Sequence, residues 1–523
     1  MRKVISRQEA AALVQDGMTL GMLGFVTLSV PEELLVSLEE RFLAEGHPRD
    51  LNVFYTSAIG DGGEHGANHL AHAGLVRRMV GAHVGLAPKL NPLITGNQIE
   101  TFCAPQGVLV HMCRAMAGHK CGVITHVGLK TFCDPEVEAC CFNDAARKAH
   151  TEGRGIVQSI EIDGRRLLHY KLTPPDVCFI KATYGDSRGN LSMEKAGLFL
   201  EQLEMALATK NNGGTVIAQV DTLVEDNTLD PRSVKVHGCF VDYVVVGRPE
   251  YSRQHYFDAV PYHPEWTGEV RVPMGPREPM ELGIRKIIAR RGAMELRRDC
   301  LVNLGFGMPD GVASVAGEEG VAGEMTLSIE SGTLGGVPAP GNGCGASADV
   351  EAIVKHTEIF DGYDGDIAYL GAAQIDRHGN VNVSKFAGRM TGPGGFINIT
   401  QNAKKICFMG TFSSVKDTDI RLENGRLNIV KDSNVVKFVP EVEQITFSGD
   451  YARETGQEVL YITARAVFRL TDQGLTLVEV APGAELERDI YPLMGFRPAV
   501  AADLKEMDPR IFRPEKMGLV LQD

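Results

Sequence analysis

The stretch Met325-Thr-Leu-Ser-Ile-Glu-Ser-Gly-Thr-Leu-Gly-Gly-Val-Pro-Ala-Pro-Gly341 has the pattern of a buried strand that runs into a glycine-rich loop. Glu330 stands where the strand ends and the loop begins. A carboxylate in that place is unfavourable unless another group pairs with it, and the glycines allow a ligand to come close to the backbone. We therefore interpret Glu330 as a carboxylate that reacts, carried on a strand of an α/β fold.

Segments outside this stretch alternate between strand-like and helix-like patterns. The strand-like segments are short and rich in apolar and β-branched residues, and they fall at 19–25, 51–55, 177–183, 215–220 and 243–246. Helix-like segments lie between them, at 31–43 and 198–207. Strands that are apolar throughout suit a parallel sheet that is covered on both faces. The alternation therefore predicts an α/β architecture.

A proline-rich segment at 249–279 divides the chain. Six prolines and the single tryptophan, Trp266, fall within it, and proline at that density excludes regular helix or central strand. We predict an N-terminal domain at 1–248, a linker at 249–279 and a C-terminal domain at 280–523, whose first helix covers 280–296.

Three short motifs occur in the same order in both halves. They are 23–25 with 304–306 (Leu-Gly-Phe), 186–190 with 376–380 (Asp-x-x-Gly-Asn), and 105–109 with 330–334. An internal repeat of this kind predicts duplication, and hence two related open α/β domains. If the halves pack about a pseudo-twofold axis, Gln106 and Glu330 occupy equivalent turns at one cleft, with an amide donor facing the carboxylate. A glutamate of ordinary pKa, about 4.3, is already ionised at pH 7 and needs no general base to attack an acyl carbonyl.

Composition restricts the class of protein. The chain has 523 residues, a formal net charge of -14 and 11 cysteines, none of them in a C-x-x-C pair. The negative charge argues against nucleic acid or an anionic membrane as a partner, and scattered thiols are typical of reduced core residues. The first residues lack an apolar signal core, and no apolar run is long enough to span a membrane. We therefore predict a cytoplasmic protein.

Other motifs have a structural interpretation beside the functional one. The turn at 391–397 is a tight turn on its own, or a backbone N–H aimed at a carbonyl oxygen. The Gly-x-Gly motifs at 305–307 and 341–345 lack the spacing of a dinucleotide site. His65, His69 and His72 lie at helical spacing, but the H-E-x-x-H pattern of a zinc enzyme is missing, so no metal site is predicted. Glu330 itself has the alternative of a capping or ion-paired carboxylate.

With Glu330 and its glycine-rich surroundings, the chain resembles the family I coenzyme A transferases, in particular the single-chain acetate/propionate CoA-transferases. The resemblance covers nearly the whole length. The segments that carry it are 24–25, 100–109, 117–120, 302–305, 313–320, 328–338, 366–370, 382–385, 394–396 and 479–482. The resemblance implies two related α/β domains, formed by fusion of an α and a β subunit that are separate in other relatives.

The resemblance also implies roles for individual residues. Glu330 corresponds to the nucleophile, Gln106 to a residue placed at the thioester, and Gly394 or Gly395 to an oxyanion-hole amide. Many relatives have Asp where this chain has Asn398, and they vary in the loop at 340–346. The CoA thioester is implied as a substrate with no permanently bound cofactor, and relatives are homodimers or homotetramers.

The activity predicted on this basis is ping-pong transfer of CoA between short-chain carboxylic acids, through a γ-glutamyl-CoA thioester on Glu330. Lys385 and Arg389 are candidates to hold the CoA phosphates, because they precede the 392–395 turn. Two alternatives stay open: an acyl-CoA hydrolase that uses the same intermediate, and a non-catalytic binding module on the same fold. The preferred acid among acetate, propionate, butyrate and lactate is not decided by the sequence.

Overall fold

The computed structural model of the protein describes residues 3–256, 260–272, 279–339, 345–362, 365–414, 416 and 418–523. Two large sheets dominate these residues. One takes its strands from 19–246 and the other from 301–506, so each predicted domain holds one of them. The predicted α/β class is confirmed, whereas the limits of the two domains stay a prediction.

The first half has twelve strands and six α-helices in its described residues. The strands are β1 Thr19–Met22, β2 Leu51–Tyr55, β3 Val76–Gly81, β4 Glu100–Cys103, β5 Val123–Thr125, β6 Val157–Ile162, β7 Arg165–Tyr170, β8 Val177–Asp186, β9 Leu191–Ser192, β10 Thr215–Val224, β11 Val234–Val236 and β12 Tyr243–Val246. The helices are α1 Arg7–Ala12, α2 Glu32–Glu45, α3 Asn91–Thr95, α4 Gln106–Ala117, α5 Asp144–Ala149 and α6 Gln202–Asn211.

The second half has eighteen strands and five α-helices in its described residues. The strands are β13 Leu301–Leu304, β14 Thr326–Ile329, β15 Thr333–Leu334, β16 Val337–Pro338, β17 Ser347–Ala348, β18 Ala352–Ile353, β19 Ile367–Gly371, β20 Gln374–Ile375, β21 Val381–Asn382, β22 Lys385–Phe386, β23 Arg389–Met390, β24 Lys405–Met409, β25 Asp419–Glu423, β26 Arg426–Lys431, β27 Glu458–Ile462, β28 Ala466–Thr471, β29 Gly474–Val480 and β30 Ala499–Glu506. The helices are α7 Ile284–Ala293, α8 Gly311–Glu319, α9 His356–Gly362, α10 Phe396–Asn402 and α11 Gly449–Thr455.

Each large sheet contains the same five parallel strands. In the first half they run in the order β12-β10-β8-β1-β2, and in the second in the order β27-β24-β19-β13-β14. Beyond β2, the first sheet continues with parallel β3 and β4, whereas beyond β14 the second continues with antiparallel β15 and β18. The shared five-strand order supports the predicted duplication.

The Asp-x-x-Gly-Asn turns match in atomic detail. Asp186 accepts the backbone N–H of Asn190 at 2.9 Å, and Asp376 accepts that of Asn380 at 3.0 Å. The Asn190 and Asn380 side-chain oxygens then accept an N–H from a glycine in a following segment, at 2.9 Å in both halves. The glycine inside each turn has a positive φ, +89° at 189 and +79° at 379, which disfavours other residues.

The third predicted match of the repeat is wrong. Because β2 corresponds to β14 in the shared strand order, the counterpart of Glu330 is Thr56, the residue after β2. Gln106 follows β4, two strands further toward the edge, and begins a helix, whereas Glu330 begins a tight turn. The segments 105–109 and 330–334 are similar in sequence but do not occupy equivalent positions in the two sheets.

The two halves share apolar contacts. Met390 and Ile397 of the second half are buried in the main core of the first. A smaller cluster combines Phe25, Trp266 and Ala346 with neighbouring apolar side chains, so the linker tryptophan lies between the halves. The described residues of 249–279 contain no α-helix or strand. Among all described residues, no helix is long and apolar enough to cross a membrane.

Candidate active site

Glu330 lies in the tight turn that joins β14 to antiparallel β15. Ile329 pairs with Thr333 across the turn, and Gly332 closes it by donating its N–H to the Ile329 carbonyl at 3.0 Å with φ +106°. Residue 332 is therefore best filled by glycine. The turn presents the Glu330 side chain at the carboxyl end of a parallel strand, the usual place for a binding crevice in such sheets.

The Glu330 carboxyl is surrounded by protein although the residue as a whole is only half-buried. Burial raises its pKa to about 7. The expectation of an ordinary pKa is therefore wrong, because desolvation disfavours the ionised form. Near neutral pH this carboxyl exists in both forms, a property often found at functional sites.

The predicted Gly394-Gly395 turn packs directly on Glu330. A Cβ at position 395 would lie 2.8 Å from the Glu330 Cδ and closer still to Oε2, so only glycine leaves room for the carboxylate there. The Gly394 N–H donates to the Ala82 carbonyl at 3.1 Å. Of the two predicted oxyanion-hole amides, that of Gly394 is thus already bonded, and Gly395 is the residue beside Glu330.

Gln106 joins the same site from the first half. Its backbone N–H donates to the Gly394 carbonyl at 3.0 Å, and its side-chain Oε1 lies 3.9 Å from where a Gly394 Cβ would stand. The side-chain amide nitrogen of Gln106 was predicted to face Glu330. It instead donates to His356 Nε2 at 2.9 Å. The structure thus brings Glu330, Gln106, Gly394 and Gly395 together.

Gln106 is the last member of a row of hydrogen-bonded buried side chains, which we call the buried polar row. Its members, in order, are Thr56, Glu201, His356 and Gln106. His356 Nδ1 donates to Glu201 Oε1 at 2.6 Å, and Thr56 Oγ1 donates to Glu201 Oε2 at 2.8 Å. His356 and Glu201 have 0% exposure. Three of these four residues, Thr56, Glu201 and His356, were not predicted from the sequence. An alignment of the repeat by strand order would have found Thr56, but nothing in the sequence indicates Glu201 or His356.

Asn398 makes a second contact between the halves. Its Oδ1 accepts the backbone N–H of Gly107 at 3.0 Å, at the start of α4. The contact requires only an acceptor oxygen, which the neutral amide of Asn398 supplies.

Other predicted residues lie apart from these contacts. Lys385 lies on β22 and Arg389 on β23, the two antiparallel strands of one hairpin. Arg147 has the largest effect in lowering the pKa of the Asp144 carboxyl, and the charge of Lys385 lowers it further. Residues 340–344, most of the variable loop, lie outside the described residues.

The three histidines at 65, 69 and 72 bind carboxylates. His65 contacts Asp61 at 2.5 Å, His72 contacts Glu39 at 2.7 Å, and His69 contacts Glu32 at 2.7 Å and Glu39 at 2.5 Å. Burial opposes the charge on His69, but the hydrogen bonds that its ring donates to Glu32 and Glu39 raise its pKa to about 9. Within the described ranges, no cluster of three or more side chains could hold a metal ion.

Comparison with known proteins places these features in a family. Residues 4–247 match the family model described as Coenzyme A transferase. A caffeate CoA-transferase from Acetobacterium woodii is 43% identical over 99% of both chains. The acetate CoA-transferase YdiF from Escherichia coli O157:H7 is 37% identical over 99% of this chain and 97% of its own.

A solved structure gives the same result for the fold. The crystal structure of the E. coli O157:H7 acyl-CoA transferase YdiF, described as a thioester complex with CoA, superposes with a TM-score of 0.92. The match covers 100% of this chain and 98% of that one at 36% identity. The similarity therefore extends over both sheets and the segment between them.

Proposed function

Because this chain belongs to the coenzyme A transferase family, we propose that it carries CoA as a covalent thioester on Glu330 while it moves CoA between short-chain carboxylic acids. The chain is a CoA-transferase that acts on carboxylates and uses CoA thioesters as substrates. The observation that carries the proposal is the Glu330 carboxyl, buried at a strand end against Gly395.

The proposed reaction has two halves that mirror each other. A Glu330 oxygen attacks the acyl-CoA carbonyl, and the C–S bond breaks to give a mixed anhydride and CoA thiolate. The thiolate attacks the Glu330 Cδ, and the first carboxylate leaves, so that CoA is held as a γ-glutamyl thioester. An incoming carboxylate reverses these steps. Splitting one exchange into such steps is covalent catalysis, and excluding water protects the anhydride and thioester.

Two residues beside Glu330 and its neighbouring turn support this chemistry. A Cβ at position 395 would lie 2.8 Å from the Glu330 Cδ, so the Gly395 backbone is a candidate to stabilise an oxygen that develops negative charge on Cδ. A backbone N–H positioned for that role typically contributes about 10²–10³ in rate. Gln106 lies beside the same turn, where its carboxamide oxygen is available to an N–H of the bound thioester.

Steady-state assays test the proposed function. With acetyl-CoA as donor, we expect acyl-CoA to be formed from propionate or butyrate with ping-pong kinetics. Caffeate is a second acceptor to test, because a relative of 43% identity is named for it. Preference for caffeate would overturn the short-chain assignment, and acetyl-CoA consumption without any acceptor would favour a hydrolase.

The pH dependence follows from the pKa of Glu330. The attacking form is the carboxylate, and its pKa is about 7. We therefore expect kcat/KM, which reports the free enzyme, to rise as pH increases through about 7 and to fall about tenfold per pH unit well below it. A profile that is flat between pH 5 and 8 would contradict this assignment.

We also propose that Lys385 and Arg389 hold CoA phosphates. Lys385 is half-buried and Arg389 is exposed on the hairpin that leads into the 391–395 turn. Replacing both with alanine is expected to raise KM for acyl-CoA with little effect on kcat, since such contacts act equally on bound substrate and transition state. An unchanged KM would show that these two residues do not bind CoA.

We also propose that the protein is cytoplasmic and forms a homodimer or homotetramer. Light scattering, which measures the mass of the particle in solution, tests the oligomeric state.

A further inference from the structure

We propose that Glu201 and His356 are positioning residues that fix the carboxamide of Gln106, with its oxygen toward the turn that holds Glu330. This inference rests on the covalent mechanism proposed above. It adds two side chains that do not touch the reacting atoms.

The direction of each hydrogen bond in the buried polar row follows from Glu201. A buried carboxylate requires donors, and Glu201 receives them from His356 Nδ1 at 2.6 Å and Thr56 Oγ1 at 2.8 Å. His356 therefore carries a proton on Nδ1. In the neutral imidazole, Nε2 is then an acceptor, and the group it meets at 2.9 Å is the amide nitrogen of Gln106.

The imidazole has little freedom to turn. Phe25 and Phe360 pack on it with ring centroids 5.9 and 5.2 Å away, and the His356 backbone N–H is held by the Phe199 carbonyl at 2.9 Å. The Gln106 backbone is fixed in turn by the Gly394 carbonyl. Both ends of the Gln106–His356 contact are thus anchored, although they come from different halves of the chain.

A reversed Gln106 carboxamide is disfavoured by this arrangement. Its oxygen would then face the Nε2 lone pair, and two acceptors would meet where one hydrogen bond now exists. The row therefore keeps the carboxamide oxygen on the side of Gly394. There it can accept an N–H from an amide of the CoA moiety of the bound acyl-CoA.

Two substitutions at position 356 separate positioning from packing. His356→Asn reaches only as far as Nδ1, so it can keep the Glu201 contact but loses Gln106. His356→Gln reaches the position of Nε2 and can still accept from Gln106. We expect His356→Asn to lower kcat about 100-fold with little change in KM, because misplacing a group at the reacting centre by about 1 Å has an effect of that size. We expect His356→Gln to be about tenfold more active than His356→Asn.

Equal kcat values for the two variants, or the reverse order, would overturn the inference. His69→Asn is the matched control, since His69 is a mostly buried histidine, 13% exposed, that also contacts glutamates. This variant is expected to lower thermal stability and leave kcat unchanged. A kcat loss at 69 as large as at 356 would show that the effect is general packing.

A second background guards against misfolding of His356→Asn. In a Gln106→Ala protein, the further change His356→Gln is expected to have no effect on kcat, because residues that act as one unit are non-additive. Independent losses that multiply would contradict the inference. Wild-type protein that never carries CoA on Glu330 would instead overturn the proposed function, which keeps the two failures distinct.

Discussion

Replacing Glu330 with alanine is expected to abolish CoA transfer while the protein stays folded. Removal of a covalent nucleophile costs on the order of 10⁶ in kcat in other enzymes. The side chain lies in a turn and is half-buried, so its loss removes an unfavourable buried carboxyl more than it removes packing. The measurement is the transfer rate, together with thermal stability of the variant.

Trapping identifies the residue directly. Wild-type protein incubated with acyl-CoA and then with borohydride or hydroxylamine is expected to carry the modification on the peptide that contains Glu330. Glu330→Asp is expected to be impaired about 100-fold, because one methylene fewer withdraws the nucleophile by about 1 Å. Glu324→Ala is the control, a glutamate near the other end of β14 whose ion pair with Arg298 is partly exposed. Modification at another residue would exclude the mechanism.

Replacing Gly395 with alanine is the second change with a large expected effect. The new Cβ would lie 2.8 Å from the Glu330 Cδ, closer than such atoms approach, and the movable partner is the carboxylate. Because φ at 395 is -78°, alanine meets no backbone strain. We expect the fold to persist and kcat to fall about 100-fold or more, since the nucleophile is displaced by about 1 Å.

Gly317→Ala is the matched control for that change. Nothing lies within 4 Å of a Cβ at position 317, in helix α8, and alanine favours the helix by up to about 1 kcal/mol. Its activity is therefore expected to equal that of the wild type. If Gly395→Ala were equally active, the close packing of the turn on Glu330 would have no part in catalysis.

The sequence predicts the strands correctly where they consist mainly of consecutive apolar residues. The segments 51–55, apolar except for Asn52, and 243–246 match β2 and β12 as predicted. The strand β3 was missed because Arg77 and Arg78 interrupt its apolar pattern. Arg78 keeps its charge while it stacks over the Phe102 ring at 4.5 Å, so a charged residue is accommodated by a neighbour that the sequence does not place.

Helix α6 shows a different limit. The pattern predicted a helix from 198, but it begins at Gln202, because Leu198 and Leu200 leave the helical pattern to pack with Trp266. That contact depends on the linker, which lies far along the sequence. The local spacing of apolar residues does not reveal a packing partner that is distant in the sequence.

The site itself was half predictable. Glu330 and the glycines are marked by local sequence, and resemblance supplied their roles. His356 and Glu201 are 155 residues apart, and His356 and Gln106 are 250 residues apart. Each looks ordinary where it stands, so only the folded arrangement of the two halves identifies the row.

The meeting of Gln106 from one half with Glu330 from the other has a consequence for how the enzyme behaves in solution. When such halves are separate polypeptides, dilution favours their dissociation and the shared site is lost. Here one backbone joins them through residues 249–279, so their encounter is intramolecular and governed by an effective concentration that the linker sets. Completion of each catalytic centre from these two halves is therefore expected to be independent of the protein concentration.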